Sequence, residues 1–269
     1  MSCPDCTTGG LLAGEPKGQT SILNAYFSPA PLADQDQASD NAILLLTDAF
    51  GLSVKNGKVL GDMLAERLKC DVWVPDIFEG RPLMEASSLK MPERAGEKLT
   101  WKDWAYFILG MVPRIPILYS NRPSVVSVRI SKFIEEIKKD KGYKKLGVVG
   151  FCFGGSMAVH LGGSGLVDSV VICHPGRFSL DEVKAIKVPA AWVCAEDDLF
   201  FAEAKRLQCE AIFAERTGKP DYVDYEFTVY EGTTHGFAAR PNLTYPEIKE
   251  AHEKAFDQTV NWFLKTVVN

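Results

Sequence analysis

Short, unbroken apolar runs alternate along this chain with longer segments whose apolar residues recur at helical spacing. Ala42 to Gly51 (AILLLTDAFG) is one such run, closing on Asp48, Ala49, Phe50 and Gly51. Behind it Val59, Leu60, Met63, Leu64 and Leu68 recur every third or fourth position, which predicts a helix with one apolar face. DVWVPDIFEGRP repeats the strand pattern and is closed by Pro75, Asp76 and Gly80. A strand exposed on one face would alternate apolar with polar; these do not, so they predict parallel strands in a sheet covered on both faces. The alternation resumes at Pro123, which opens a helix carrying Val126, Ile130, Phe133, Ile134 and Ile137 and ending at Lys138, Lys139 and Gly142. DSVVICHPG, PAAWVCAEDD and YVDYEFTVYEG read as further strands, with helices from about Phe201 to Arg216 and from Tyr245 to Val267. SILNAYFSPA can form a first strand.

Two stretches depart from this rhythm. Residues 1–20 are rich in Gly, Pro and Thr without periodicity and read as an extended arm. Residues 81–120 hold Trp101, Trp104, Tyr106, Phe107, Ile108 and Met111 in a short helix, followed by the proline-broken VPRIPILYSNRP. That insert is either a lid over a pocket or a helix packed as ordinary core. The remainder, 21–269, is expected to be one α/β domain.

The most informative junction is KKLGVVGFCFGGSMAVHL, Lys144 to Leu161. The apolar run Leu146 to Val149 meets Gly150-Phe151-Cys152-Phe153-Gly154-Gly155, and a helix follows at once. A turn this tight strains its central residue and leaves room only for glycine beside it, the geometry of a nucleophile elbow. Cys152 stands at its centre, where the N–H groups and dipole of the following helix favour a thiolate.

A nucleophile needs a histidine to take its proton and a carboxylate to orient that histidine, in the chain order nucleophile, acid, histidine for this kind of fold. His235, in the Gly-flanked loop GTTHGF after the last strand, is the candidate base. His160 and His252 fall on helices and read as surface or packing. His174 ends the strand after the elbow and is expected at the pocket wall or one layer behind it. The acid is expected among Glu196, Asp197 and Asp198, which the strand pattern alone does not separate. Phe151, Phe153 and Phe237 imply an apolar pocket.

These residues resemble the dienelactone hydrolases, a cysteine branch of the α/β-hydrolases, and the CPDC start is similar to the fungal members. The resemblance rests on G-x-C-x-G-G at Gly150 to Gly155, the acid turn Glu196 to Leu199, His235-Gly236-Phe237-Ala238, and the strand end DAFG. It implies an α/β-hydrolase fold with a mainly parallel sheet of about seven or eight strands. It also implies hydrolysis of a lactone or carboxylic ester by Cys152, His235 and Asp198 through a thioester. Carried over by position, the backbone N–H groups of Ala49 and Phe153 would form the oxyanion hole, Asp48 would replace a glutamate that restrains the resting thiol, and Arg240 would lie near an arginine that grips the substrate carboxylate. Phe50 belongs to the same strand end. No cofactor and no metal are implied.

Composition narrows the class without naming a substrate. The 269 residues are 46% hydrophobic and 24% charged, with a net charge of −5 and a pI near 5.5, which argues against nucleic acid or an anionic membrane as partner. No run reads as a secretory signal or a membrane span. Seven cysteines, at 3, 6, 70, 152, 173, 194 and 209, fit free thiols in a cytoplasmic protein better than a disulfide framework. Cys3 and Cys6 have C-x-x-C spacing, and no second pair follows to complete a zinc site. The expected partner is a small ester or lactone, bound by a monomer or homodimer. A non-hydrolytic isomerase, cyclase or acyltransferase using the same site, or a binding protein without catalysis, are the competing readings.

Overall fold

The apolar runs become the strands of one eight-stranded sheet, in the computed structural model that describes residues 10–21, 23–31, 39–85 and 92–269. In chain order these are β1 (Gln19–Thr20), β2 (Ala25–Ser28), β3 (Asn41–Leu46), β4 (Asp71–Pro75), β5 (Lys145–Phe151), β6 (Ser169–Cys173), β7 (Ala190–Asp197) and β8 (Tyr225–Thr234). Their spatial order is β1-β2-β4-β3-β5-β6-β7-β8. From β4 to β8 every pairing is parallel, while β1 and β2 add an antiparallel edge.

Helices cover both faces, as the unbroken strands require. On one face α1 (Asn56–Leu68) and α8 (Pro246–Phe263) pack Leu60, Leu64, Ala255 and Phe263 against Ile43, Leu45, Val149 and Val171. On the other lie α4 (Pro123–Lys141), α5 (Phe153–Gly162), α6 (Leu180–Ala185) and α7 (Glu203–Ala214), against Leu44, Val148, Ile172 and Trp192. The 4-3-1-3 stepping read in the sequence puts Val126, Ile130, Phe133, Ile134 and Ile137 on the buried side of α4, each such side chain contributing about 1.5–3 kcal/mol. Pro123 opens that helix and Gly142, in left-handed conformation, closes it. The short helix α6, held by a Ser179–Glu182 capping box, is an element the pattern did not announce.

Chain direction fixes where a ligand can sit. From β3 the chain steps to β4 on one side and then to β5 on the other, so the connections leaving β3 and β5 diverge and open a crevice at their carboxyl ends. Asp48 and Ala49 follow β3, and Cys152 follows β5.

The insert contributes two further helices, α2 (Trp101–Met111) and α3 (Ile115–Ser120). Ile117 and Leu118 of α3 pack on the core, whereas no residue of α2 is buried, so the core-packed alternative for the aromatic helix does not hold. Cys70, Cys173, Cys194 and Cys209 are free and buried, and burial pushes their thiols up, to about 12 for Cys70 and about 11 for Cys209. Cys3 and Cys6 lie outside the described residues. Among the described residues no helix is long and apolar enough to cross a membrane.

Candidate active site

Gly150 and Gly154 make the turn after β5 possible. A Cβ on Gly150 would collide with the Gly154 carbonyl, and one on Gly154 with the carbonyls of Leu46 and Thr47. Between them Cys152 takes φ 52° and ψ −110°, a conformation side chains rarely adopt. The turn is held from three directions: Cys152 N–H donates to the Cys173 carbonyl at 3.1 Å, Gly154 N–H to Thr47 at 3.1 Å, and Gly176 N–H to Cys152 at 2.9 Å. Among the described residues, the N–H groups of Phe153 and Ala49 make no such backbone bond. Cys152 is the half-exposed member of the described thiols.

His235 follows β8 and is buried. Its Nδ1 lies 2.9 and 3.0 Å from the two oxygens of Asp198, which also accept the N–H groups of Phe200 and Phe201 at 2.8 and 3.0 Å. That separates the three acids at the end of β7. Glu196 accepts from Gly232 N–H at 2.6 Å and Asp197 from Gly96 N–H at 3.1 Å, both at exposed positions. The His235 Nε2 is buried without a hydrogen-bond partner of ordinary geometry. Burial opposes charge on this ring, and the neighbouring Cys152, followed by Asp198, outweighs it, pushing the pKa up to about 10. Burial likewise opposes charge on Asp198, and His235 overcomes it, holding the carboxyl below its usual range.

His174 is fully buried, so it stands behind the site and does not open onto it. Its ring meets His235 edge to face at 5.1 Å and touches Phe151 and Phe237 at 6.0 and 5.8 Å. Both ring nitrogens lack hydrogen-bond partners, and burial together with the His235 charge pulls the pKa down to about 3, so the ring is neutral. The backbone at His174 also has positive φ, 32°. Sequence reasoning missed Phe200, whose ring packs on His235 at 4.8 Å; an aromatic two residues beyond the acid was the available signal. It also missed Phe78, which meets Phe153 at 5.3 Å and has no local signature.

Asp48 and Arg240 find each other. Arg240 Nε donates to Asp48 at 2.7 Å, its guanidinium lies 4.1 Å from the Phe50 ring centre, and Asp48 accepts Phe50 N–H at 3.0 Å. The restraint on the resting thiol that the resemblance implied for an acid here therefore gives way to an ion pair, because the shorter aspartate is taken up by the arginine. Asn56 ties the same loop to the N-terminal arm, donating to the carbonyls of Ala239 (2.8 Å) and Gly10 and accepting Leu12 N–H at 3.0 Å. His160 is exposed and His252 buried, matching surface and packing roles.

The insert is pinned on both sides of this edge. On the β7–β8 side Ala95 N–H donates to Gly232, Gly96 N–H to Asp197, and Thr234 to Pro92. On the β3 side Met84 N–H donates to Ala49, Arg114 pairs with Glu85, and Asn121 donates to Arg81. Among the described residues no cluster of side chains is arranged to hold a metal ion.

The strand order, the elbow and the buried pair beside it are those of an α/β-hydrolase. The chain belongs to the dienelactone hydrolase family, which it matches over residues 29–267, and it is a hydrolase of ester or lactone bonds. It is 31% identical to the hydrolase tropI of Talaromyces stipitatus, over 98% of this chain and 95% of that one. The hydrolase pyvD of Aspergillus violaceofuscus is 29% identical over 96% and 94%. In three dimensions the chain is similar to a dienelactone-hydrolase-like phosphotriesterase from metagenomic libraries, with a TM-score of 0.59 at 15% identity, covering 96% of this chain and 100% of that one.

Proposed function

We propose that the protein hydrolyses a small, largely apolar ester or lactone by acyl transfer to Cys152. The observation that carries this reading is the buried Asp198–His235 pair beside a half-exposed cysteine at a strained elbow. The Cys152 thiolate attacks the carbonyl carbon and its π electrons move to oxygen. The N–H groups of Phe153 and Ala49 receive that oxyanion, each such donor being worth about 3 kcal/mol. His235 gives its proton to the departing oxygen as the carbonyl re-forms, leaving a thioester. With the thiolate charge gone, His235 takes a proton from water, hydroxide adds to the thioester, and Cys152 leaves as the thiolate. Asp198 keeps the proton on Nδ1, so that Nε2 faces the reaction throughout.

The chain between the two anchors of the insert has to pass the carboxyl edge where Cys152 stands. Three strand spacings from β3 to β7 are about 14 Å, and the eleven residues of α2 span about 16 Å, so this helix is the right length to roof the crevice. Phe107 and Met111, half-buried four residues apart, lie on its inner side, and they favour a flat apolar acyl group. Arg240 keeps unbonded Nη donors toward a substrate carboxylate. The free buried thiols fit a reducing compartment, and we place the protein in the cytoplasm.

A panel of lactones and activated aryl esters near neutral pH tests the reading. Turnover should fall by about 10⁴-fold or more in Cys152→Ala, and mass spectrometry of quenched wild-type enzyme should find the acyl group on the peptide containing Cys152. Retained turnover in that variant would end the nucleophile assignment. Formation of the thioester without its hydrolysis would favour transfer to an acceptor other than water.

A further inference from the structure

We propose that the outer face of α2 is a homodimer interface, where the helix packs against the same helix of a second copy of this chain. The inference concerns assembly and stands whether or not Cys152 is the nucleophile. Trp101, Ala105 and Ile108 of α2 and, past its end, Val112 of the 3-10 turn that follows and Ile115 of α3 succeed one another at steps of four, three, four and three. That stepping aligns a continuous apolar seam along one side of a helix and fits it into the seam of another. Here the seam is left to solvent: Trp101 is 75% and Leu109, beside it, 67% exposed, and Ile108, Val112 and Ile115 are each more than half exposed. A helix apolar on every side is normally buried.

The occupant follows from area, charge and symmetry. The exposed fractions of Trp101, Ile108, Leu109, Val112 and Ile115 amount to roughly 600 Å² of apolar surface per copy. Before any polar rim is counted, that is about three quarters of the ~800 Å² per partner of a stable complex. From Trp104 to Pro113 the chain carries no charge, Lys102 lies over the Trp101 ring, and Arg114 is tied to Glu85. A helix lying on a membrane carries a strongly cationic face opposite its apolar one; this helix has Tyr106 and Gly110 there, on a chain of net charge −5. A second copy brings an identical uncharged seam, which a two-fold axis makes complementary to the first. Ala105, small and set between Trp101 and Ile108, lets the two helices approach.

Sedimentation velocity on the full chain at micromolar concentration should give a dimer. Ile108→Glu combined with Val112→Glu places carboxylates in the seam at solvent-facing positions, and should remove the dimer at the same concentration with far-UV circular dichroism unchanged. Hydrogen exchange on the wild type gives a reading that needs no variant: amides of 101–112 should gain protection as the protein is concentrated. A wild type that stays monomeric, a dimer that survives the double substitution, or protection independent of concentration would overturn the proposal. So would a monomer that floats with phosphatidylcholine vesicles, which would assign the face to lipid.

Discussion

Two aspartate pairs anchor the two ends of residues 234–240, and they differ in what their cation can do. At the start, His235 meets Asp198 with side chains 5% and 1% exposed; at the end, Arg240 meets Asp48 at 25% and 8%. A guanidinium has no proton to trade, so the second pair is a brace. Imidazole does titrate, and in the dry pair its charge is set by Asp198 on one side and Cys152 on the other. The same acid–base contact is mechanical where the proton is fixed and chemical where it can move.

The sharpest way to break that contrast is to remove the acid of the dry pair. Asp198→Asn should lower kcat by about 10³–10⁴-fold, while Asp197→Asn, one residue earlier and exposed, should change it only a few-fold; the reverse ranking in steady-state assays would make the neighbour the acid. The two partners also mark a pH window. His235 has a folded pKa of about 10, above the ~6.5 of an unfolded chain, so its stabilisation is complete below that value and is lost as pH rises through 10. The Asp198 carboxyl is held low, so its stabilisation is present above about pH 4 and is lost on further acidification.

A smaller effect comes from the neutral ring behind the pair. His174 has a folded pKa of about 3, so below about pH 6.5 the unfolded chain takes up a proton that the folded chain refuses, and stability drops by up to ~1.4 kcal/mol per pH unit. His252, buried on α8 and also pulled down, adds in the same direction. Urea denaturation at successive pH values should show a flatter acid limb in His174→Phe than in the wild type; identical limbs would mean that His174 is protonated in the fold. Smallest of all is the effect on the brace. Arg240→Met leaves the Asp48 carboxylate with Phe50 N–H and should cost about 1–3 kcal/mol in a thermal melt, with a loss of kcat well below that of Asp198→Asn.

What could be read from the chain beforehand follows the range of the interaction concerned. The elbow was legible because much of its cause is local: Gly150 is required by the Gly154 carbonyl four residues on, and Gly154 alone answers to the distant end of β3. The parallel sheet was legible because unbroken apolar strands have few other solutions. Asp198 could be told from Asp197 only by the turn that aims one inward at His235 and the other outward at Gly96. The Asp48–Arg240 pair joins residues 192 positions apart, and nothing near either residue announces it. Composition was equally silent on the aromatic insert, because an apolar helix reads the same whether it is covered by its own chain or left exposed.

The strain at position 152 belongs to the backbone and not to the residue, since flanking glycines and three main-chain hydrogen bonds impose it. A serine would meet the same turn, and a single base change converts a cysteine codon into a serine codon. Thiol and hydroxyl chemistry are therefore adjacent in mutational space on this scaffold, so a lineage could exchange one for the other without first passing through a misfolded ancestor. Replacing either glycine, by contrast, would close the elbow to both.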